Sequence, residues 1–168
     1  MMKENNIVLI GMPASGKSTV GVILAKILGM DFIDADIEIQ KREGIRLNQI
    51  IEERGIDEFL KCEAQAILNI NVKNTVISTG GSAVYSKEAM EHLSANSTIV
   101  YLHVGKEELK KRLKDIKERG IVLRPGESID DLYYNRSGLY DEYADVVVHE
   151  GNSSIEETIQ AVLRALKQ

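Results

Sequence analysis

Gly11-Met12-Pro13-Ala14-Ser15-Gly16-Lys17-Ser18-Thr19 matches the pattern G-x-x-x-x-G-K-[ST] at every fixed position. It follows the short apolar run Ile7 to Ile10 and precedes apolar residues at helical spacing, Val20, Ile23, Leu24 and Leu28. Strand, glycine loop and helix in that order form a phosphate cradle. The glycines let backbone N–H groups converge on an anion, and the helix aims its unsatisfied N–H groups and positive dipole end at the same point. In such a loop Lys17 reaches the β- and γ-phosphates, and the Ser18 hydroxyl ligates Mg²⁺. A nucleoside triphosphate site spanning Gly11, Met12, Pro13, Ala14, Ser15, Gly16, Lys17, Ser18 and Thr19 is therefore expected.

Outward from the loop, further apolar runs suit strands buried on both faces of a parallel sheet: Asp31 to Ile33, Thr75 to Ser78, Thr98 to Leu102 and Val146 to Val148. Between them lie helix-spaced positions: Ile37, Ile50 and Ile51; Phe59, Ala66 and Ile67; Leu109, Leu113 and Ile116. Ser153 with Glu156 reads as a capping box opening a last helix whose apolar face carries Ile155, Ile159, Val162, Leu163 and Leu166. Alternating strand and helix predict an α/β fold with a parallel sheet.

The chain has 168 residues, enough for one compact domain over 1–168, and shows no repeat or low-complexity tract. Its net charge of -5 and pI near 5.3 argue against a nucleic-acid surface. Cys62 is the only cysteine, which excludes an intrachain disulfide and reads as a half-buried helix residue. The opening MMKENNIVLIG holds too short an apolar stretch for a signal peptide, and no segment approaches a membrane span. A cytoplasmic monomer acting on a small molecule, with no nucleic acid or membrane as partner, is the expectation.

The phosphate loop leaves the acceptor open. No N-K-x-D motif is present, which disfavours a GTPase, and small size favours a metabolite kinase. After the second strand, Phe32-Ile33-Asp34-Ala35-Asp36 puts two carboxylates at the carboxyl end of a parallel strand, where ligands bind in such sheets. One would face Mg²⁺ and the other accept the proton of an attacking hydroxyl. Equally, Asp34 reads as a helix N-cap and Asp36 as a first-turn acid. Arg119 to Ser128, RGIVLRPGES, breaks the pattern and reads as an exposed loop that would act as a lid.

Four stretches together resemble the shikimate kinase family: GMPASGKST at 11–19, FIDAD at 32–36, STGGSAV at 78–84 and NRSGLYDEYAD at 135–145. The resemblance implies a P-loop kinase with about five parallel strands, acceptor-binding helices over about 34–70 and a mobile lid over about 119–128. It implies ATP and Mg²⁺ as cofactors, and transfer of the γ-phosphoryl to shikimate in aromatic amino-acid biosynthesis. By match, Asp34 takes the place near Mg²⁺ and Asp36 grips the acceptor hydroxyls. Gly80 and Gly81 approach the acceptor ring, and Arg136 binds its carboxylate, for which a planar guanidinium is suited. On sequence alone Arg136 reads more readily as a surface ion-pair partner of Asp141 or Glu142. Arg119 is favoured as the lid arginine over Arg124. Arg112 matches the residue that packs on adenine, with a solvated position in the mixed-charge helix as its alternative.

The family pattern is broken at three places, one of them the lid, where its R-P-L-L stretch is not reproduced. Its usual third glycine is Ser82, and the arginine of its G-E-x-x-F-R-x-x-E stretch is Leu60 within Gly55 to Glu63. Lys61 is adjacent but lies about 100° around a helix. A substrate carboxylate that loses a cationic partner is costly to bury, so Leu60 keeps open a kinase for another hydroxylated metabolite. A nucleotide-binding regulatory module without transfer is the further alternative.

Overall fold

A computed structural model describes residues 5–114 and 121–167. Five parallel strands form one sheet: β1 (Asn6–Ile10), β2 (Asp31–Asp34), β3 (Thr75–Ser78), β4 (Ser97–His103) and β5 (Val146–His149), in the order β2-β3-β1-β4-β5. The described helices are α1 (Lys17–Leu28), α2 (Ala35–Glu43), α3 (Leu47–Arg54), α4 (Ile56–Leu68), α5 (Lys87–Asn96), α6 (Lys106–Lys114), α7 (Ile129–Tyr143) and α8 (Ile155–Leu166), with a 3₁₀ turn at Ala83–Tyr85.

The five apolar runs predict the five strands to within two residues at each end; those of β1, β3 and β4 are buried nearly throughout, while β2 and β5, at the sheet edges, are more exposed. Within β1, Ile7 and Leu9 pack with Val20 and Leu24 of α1 and Ile159 and Val162 of α8. Val8 and Ile10 point the other way, into a core shared with Met90 of α5, Leu109 of α6 and Tyr140 of α7. A third cluster, Ile39, Ile50, Phe59, Cys62, Ala66 and Val122, ties α2, α3 and α4 into a subassembly beside the sheet.

Several helical readings are revised. The capping box of α8 is Ser154 with Glu157, one residue later than Ser153 with Glu156. Ile37 and Ile50 belong to two helices separated at Gly44, whose φ of 74° closes α2, and Ile37 is exposed while Ile39 is buried. Ile23, Leu28 and Ile155 also face outward. Helix α7, capped by Ser128 and Asp131, has a weak periodic signal because its buried positions include Arg136. Cys62 is buried in the α4 cluster. Among the described residues no helix is long and apolar enough to cross a membrane.

The strand order reverses about β1, so the carboxyl ends of β1, β2 and β3 open onto one crevice. Everything that follows lies at that crevice.

Candidate active site

The loop from β1 to α1 takes the backbone its sequence requires. Gly11 has φ 150°, and a Cβ there would stand 2.6 Å from the Leu102 carbonyl oxygen; Gly16 has φ 82° and opens α1 with no side-chain cap. The first N–H groups of α1 are thus left to a ligand. Lys17 folds over the loop, donating from Nζ to Gly11 O at 2.9 Å, Met12 O at 2.7 Å and Ser15 Oγ at 3.2 Å. Burial lowers its pKa to about 8, with the carboxyl of Asp36 opposing that shift.

Asp34 is the N-cap of α2 and also faces the phosphate loop. Its Oδ1 accepts from Asp36 N at 2.9 Å as the N-cap of α2, and its Oδ2 accepts from Ser18 Oγ at 2.6 Å. Two hard oxygen groups side by side at the phosphate loop fit Mg²⁺, an ion that keeps much of its water. Asp36, in the first turn of α2, points toward the loop after β3. Burial first, then Asp34, raise its pKa to about 6. Thr19 is exposed on the first turn of α1.

The loop after β3 meets these groups through its two glycines. A Cβ on Gly80 would lie 2.8 Å from Asp36 Oδ1 and 2.6 Å from Glu63 Oε2. One on Gly81 would lie 2.9 Å from Arg136 Nη1 and 2.9 Å from Pro13 Cδ. Any side chain at either position would fill the crevice. Pro13 belongs to the phosphate loop, so donor and acceptor loops are in contact.

Arg136 is 1% exposed, against the reading of a surface partner for Asp141 or Glu142. Its Nη2 donates to Val122 O at 2.8 Å, its Nε to Tyr85 Oη at 3.2 Å, and the guanidinium lies over the Tyr85 ring. Tyr140, four residues on along α7, donates to Gly81 O and braces the same loop. Val122 is buried against α4, so the described part of the segment expected as an exposed loop is anchored there, while residues 123–126 are exposed.

Arg112 is bound rather than solvated. Its Nη1 donates to Ala14 O at 3.1 Å and lies 3.5 Å from Glu150 Oε2, while Nε pairs with Glu108. Arg124 donates to Asp57 Oδ1 at 2.9 Å and in this conformation stands away from the phosphate loop. Arg119 lies outside the described residues. Leu60 is half-buried in the α4 cluster, and Lys61 pairs outward with Glu58.

Sequence reasoning assigned no role to Glu63, Tyr85, Val122, Tyr140 or Glu150. Glu63 carried one signal, as the final residue of the G-E-x-x-F-R-x-x-E stretch. It is 2% exposed; Oε1 accepts from Ser82 Oγ at 2.7 Å, and Oε2 is buried with no hydrogen-bond partner among the described residues. Burial raises its pKa to about 7. Because the folded value lies above the unfolded one, the folded state holds the proton more tightly, and stability falls as pH rises from the ordinary glutamate range through about 7. Glu63→Gln removes that loss. Its melting temperature relative to the parent is expected to climb between pH 5 and pH 8, and a constant difference across that range would refute the assignment.

The family model described as shikimate kinase matches residues 13–167. A shikimate kinase of Aquifex aeolicus strain VF5 is 38% identical over 162 residues, covering 96% of this chain and 95% of that protein. A crystal structure of shikimate kinase from Aquifex aeolicus superposes with a TM-score of 0.84 at 37% identity, over 96% of each chain. A shikimate kinase from Acinetobacter baumannii in complex with shikimate superposes at 0.86 with 28% identity, over 99% of this chain and 94% of that one.

Proposed function

Because this chain belongs to the shikimate kinase family, we propose that it transfers the γ-phosphoryl group of ATP to a hydroxyl of shikimate. The observation that carries the reading is the contact of two loops. Pro13 of the phosphate loop touches Gly81 of a loop flanked by a carboxylate on one side, Asp36, and a guanidinium on the other, Arg136. An acceptor bearing hydroxyls at one end and a carboxylate at the other fits that polarity. The result is a single kinase domain over residues 1–168, its acceptor-binding helices over about 34–70 and its lid over about 119–128, working as a cytoplasmic monomer.

Asp36 accepts the proton of the attacking hydroxyl and holds its oxygen in line. That oxygen forms the new bond to the γ-phosphorus as the bond to the bridging oxygen breaks and ADP leaves. Lys17 moves from the loop carbonyls to the phosphate oxygens, and Gly11 to Thr19 orient the chain of phosphates by backbone N–H groups. Ser18 and Asp34 would hold Mg²⁺, which would neutralise phosphate charge. Arg136 fixes the acceptor carboxylate, with Gly80 and Gly81 against the ring. Arg112 sits on the adenine side of the phosphate loop, and the lid contributes Arg119, or Arg124 if it swings from Asp57. Catalysis rests on positioning and charge neutralisation.

The test is acceptor-dependent ADP release by the purified protein with MgATP and, in parallel, shikimate, gluconate and homoserine. Turnover confined to shikimate is expected. Turnover of gluconate or homoserine without shikimate would overturn the substrate, and ATP binding without any acceptor-dependent ADP release would favour the regulatory module.

A further inference from the structure

We propose that Leu60 and Ser82 are a matched pair, through which Glu63 serves as the positioning residue of the acceptor-binding loop. The proposal rests on shikimate as the acceptor. Two of the sites where the chain departs from its family's pattern lie 22 residues apart in sequence, on a helix and a loop. Ser82 bonds to Glu63, and Leu60 stands one helical turn before it on α4.

Glu63 lies three residues after Leu60 on α4, so the two occupy neighbouring positions on one helix face. A basic side chain at position 60 would be within reach of its carboxyl. Leu60 gives it none and packs instead with Phe59, Cys62 and Val122. Lys61 is turned to Glu58, 3.5 Å away. A buried carboxyl that Arg136 and Lys17 only partly offset is costly as an anion and needs a hydrogen bond in either state. Ser82 supplies that bond, from Oγ to Oε1 at 2.7 Å, and a glycine there has no hydroxyl to do so.

Burial pushes the Glu63 carboxyl up toward its neutral form, which asks for no cation at position 60. What changes is the anchor. The Ser82–Glu63 bond sews the loop after β3 to α4, while Glu63 Oε2 and Asp36 Oδ1 occupy the space that a Cβ on Gly80 would take. Gly80 and Gly81 are thereby held between Asp36 and Arg136, and the acceptor carboxylate rests on Arg136 without a second arginine.

A double-mutant cycle tests this, using the parent, Ser82→Ala, Leu60→Arg and the double variant, with KM measured separately for shikimate and ATP. Ser82→Ala is expected to raise the shikimate KM at least about tenfold while the ATP KM stays within about twofold. Adding Leu60→Arg to Ser82→Ala is expected to restore the shikimate KM to within about threefold of the parent, because the guanidinium gives Glu63 an ionic partner. A shikimate KM within about twofold of the parent in Ser82→Ala, or an effect of Leu60→Arg that is the same with and without the Ser82 hydroxyl, would overturn the pairing. If the parent itself fails to phosphorylate shikimate, the substrate reading falls alone. The pairing is then decided by the melting temperatures of the four proteins, where coupling of the same sign supports it and additivity overturns it.

Discussion

Replacing Lys17 with methionine is expected to lower phosphoryl transfer at least about a thousandfold while α1 and the sheet stay folded. The ammonium is held over the phosphate loop by two carbonyls and the Ser15 hydroxyl, all within its own strand-to-helix turn. Desolvation lowers its pKa to about 8, so in the ligand-free site it is less firmly charged than a surface lysine. Phosphate oxygens would reverse that, and the charge would be strongest where negative charge has to be offset. Methionine keeps the apolar stem and volume of the lysine but leaves Gly11 O and Met12 O without their donor. A melting temperature a few degrees lower is therefore expected, with an unchanged circular dichroism spectrum. Retained turnover at a tenth of the parental rate would sink the mechanism; loss of the folded spectrum would assign Lys17 to structure instead.

The second large effect is expected at Arg136. Arg136→Lys should raise the shikimate KM by about a hundredfold or more, with the ATP KM within about threefold. A lysine keeps one charge but cannot present a planar fork, and loss of a paired partner from a desolvated charge costs about 3–5 kcal/mol. The guanidinium is 1% exposed and shared among Val122 O, Tyr85 Oη and the face of the Tyr85 ring. Lysine is the informative substitution because alanine would also open a cavity against Tyr85. Initial rates across a matrix of shikimate and ATP concentrations separate the two KM values. Equal changes in both would show that Arg136 shapes the whole crevice and does not read the acceptor.

The two expectations differ in how much of each was legible in the chain. The place of Lys17 follows from eight contiguous residues, because a glycine-bounded loop between a strand and a helix has few conformations open to it. Arg136 was legible only through family resemblance, since a lone arginine among Asp141 and Glu142 reads more readily as a surface partner. Burial by α7 and the 3₁₀ turn at Tyr85 is what removes it from water. Val122 was misread as exposed because RGIVLRPGES has the composition of a loop, and a single apolar residue gives no periodicity to show where it docks. The capping box of α8 slipped by one residue since Ser153 and Ser154 each have a glutamate three positions on.

The sequence by itself determined the five strands, their parallel arrangement and the phosphate loop, because each depends on backbone preferences and apolar runs within a few consecutive residues. Family resemblance added Asp34, Asp36, Gly80 and Gly81. Only the tertiary structure decided how the acceptor side is held. The hydrogen bonds from Ser82 to Glu63 and from Arg136 to Val122 join residues 19 and 14 positions apart. Their significance comes from burial, which makes an unpaired carboxyl or guanidinium expensive and so fixes its partners, and burial is a property of the packed chain that no local stretch carries.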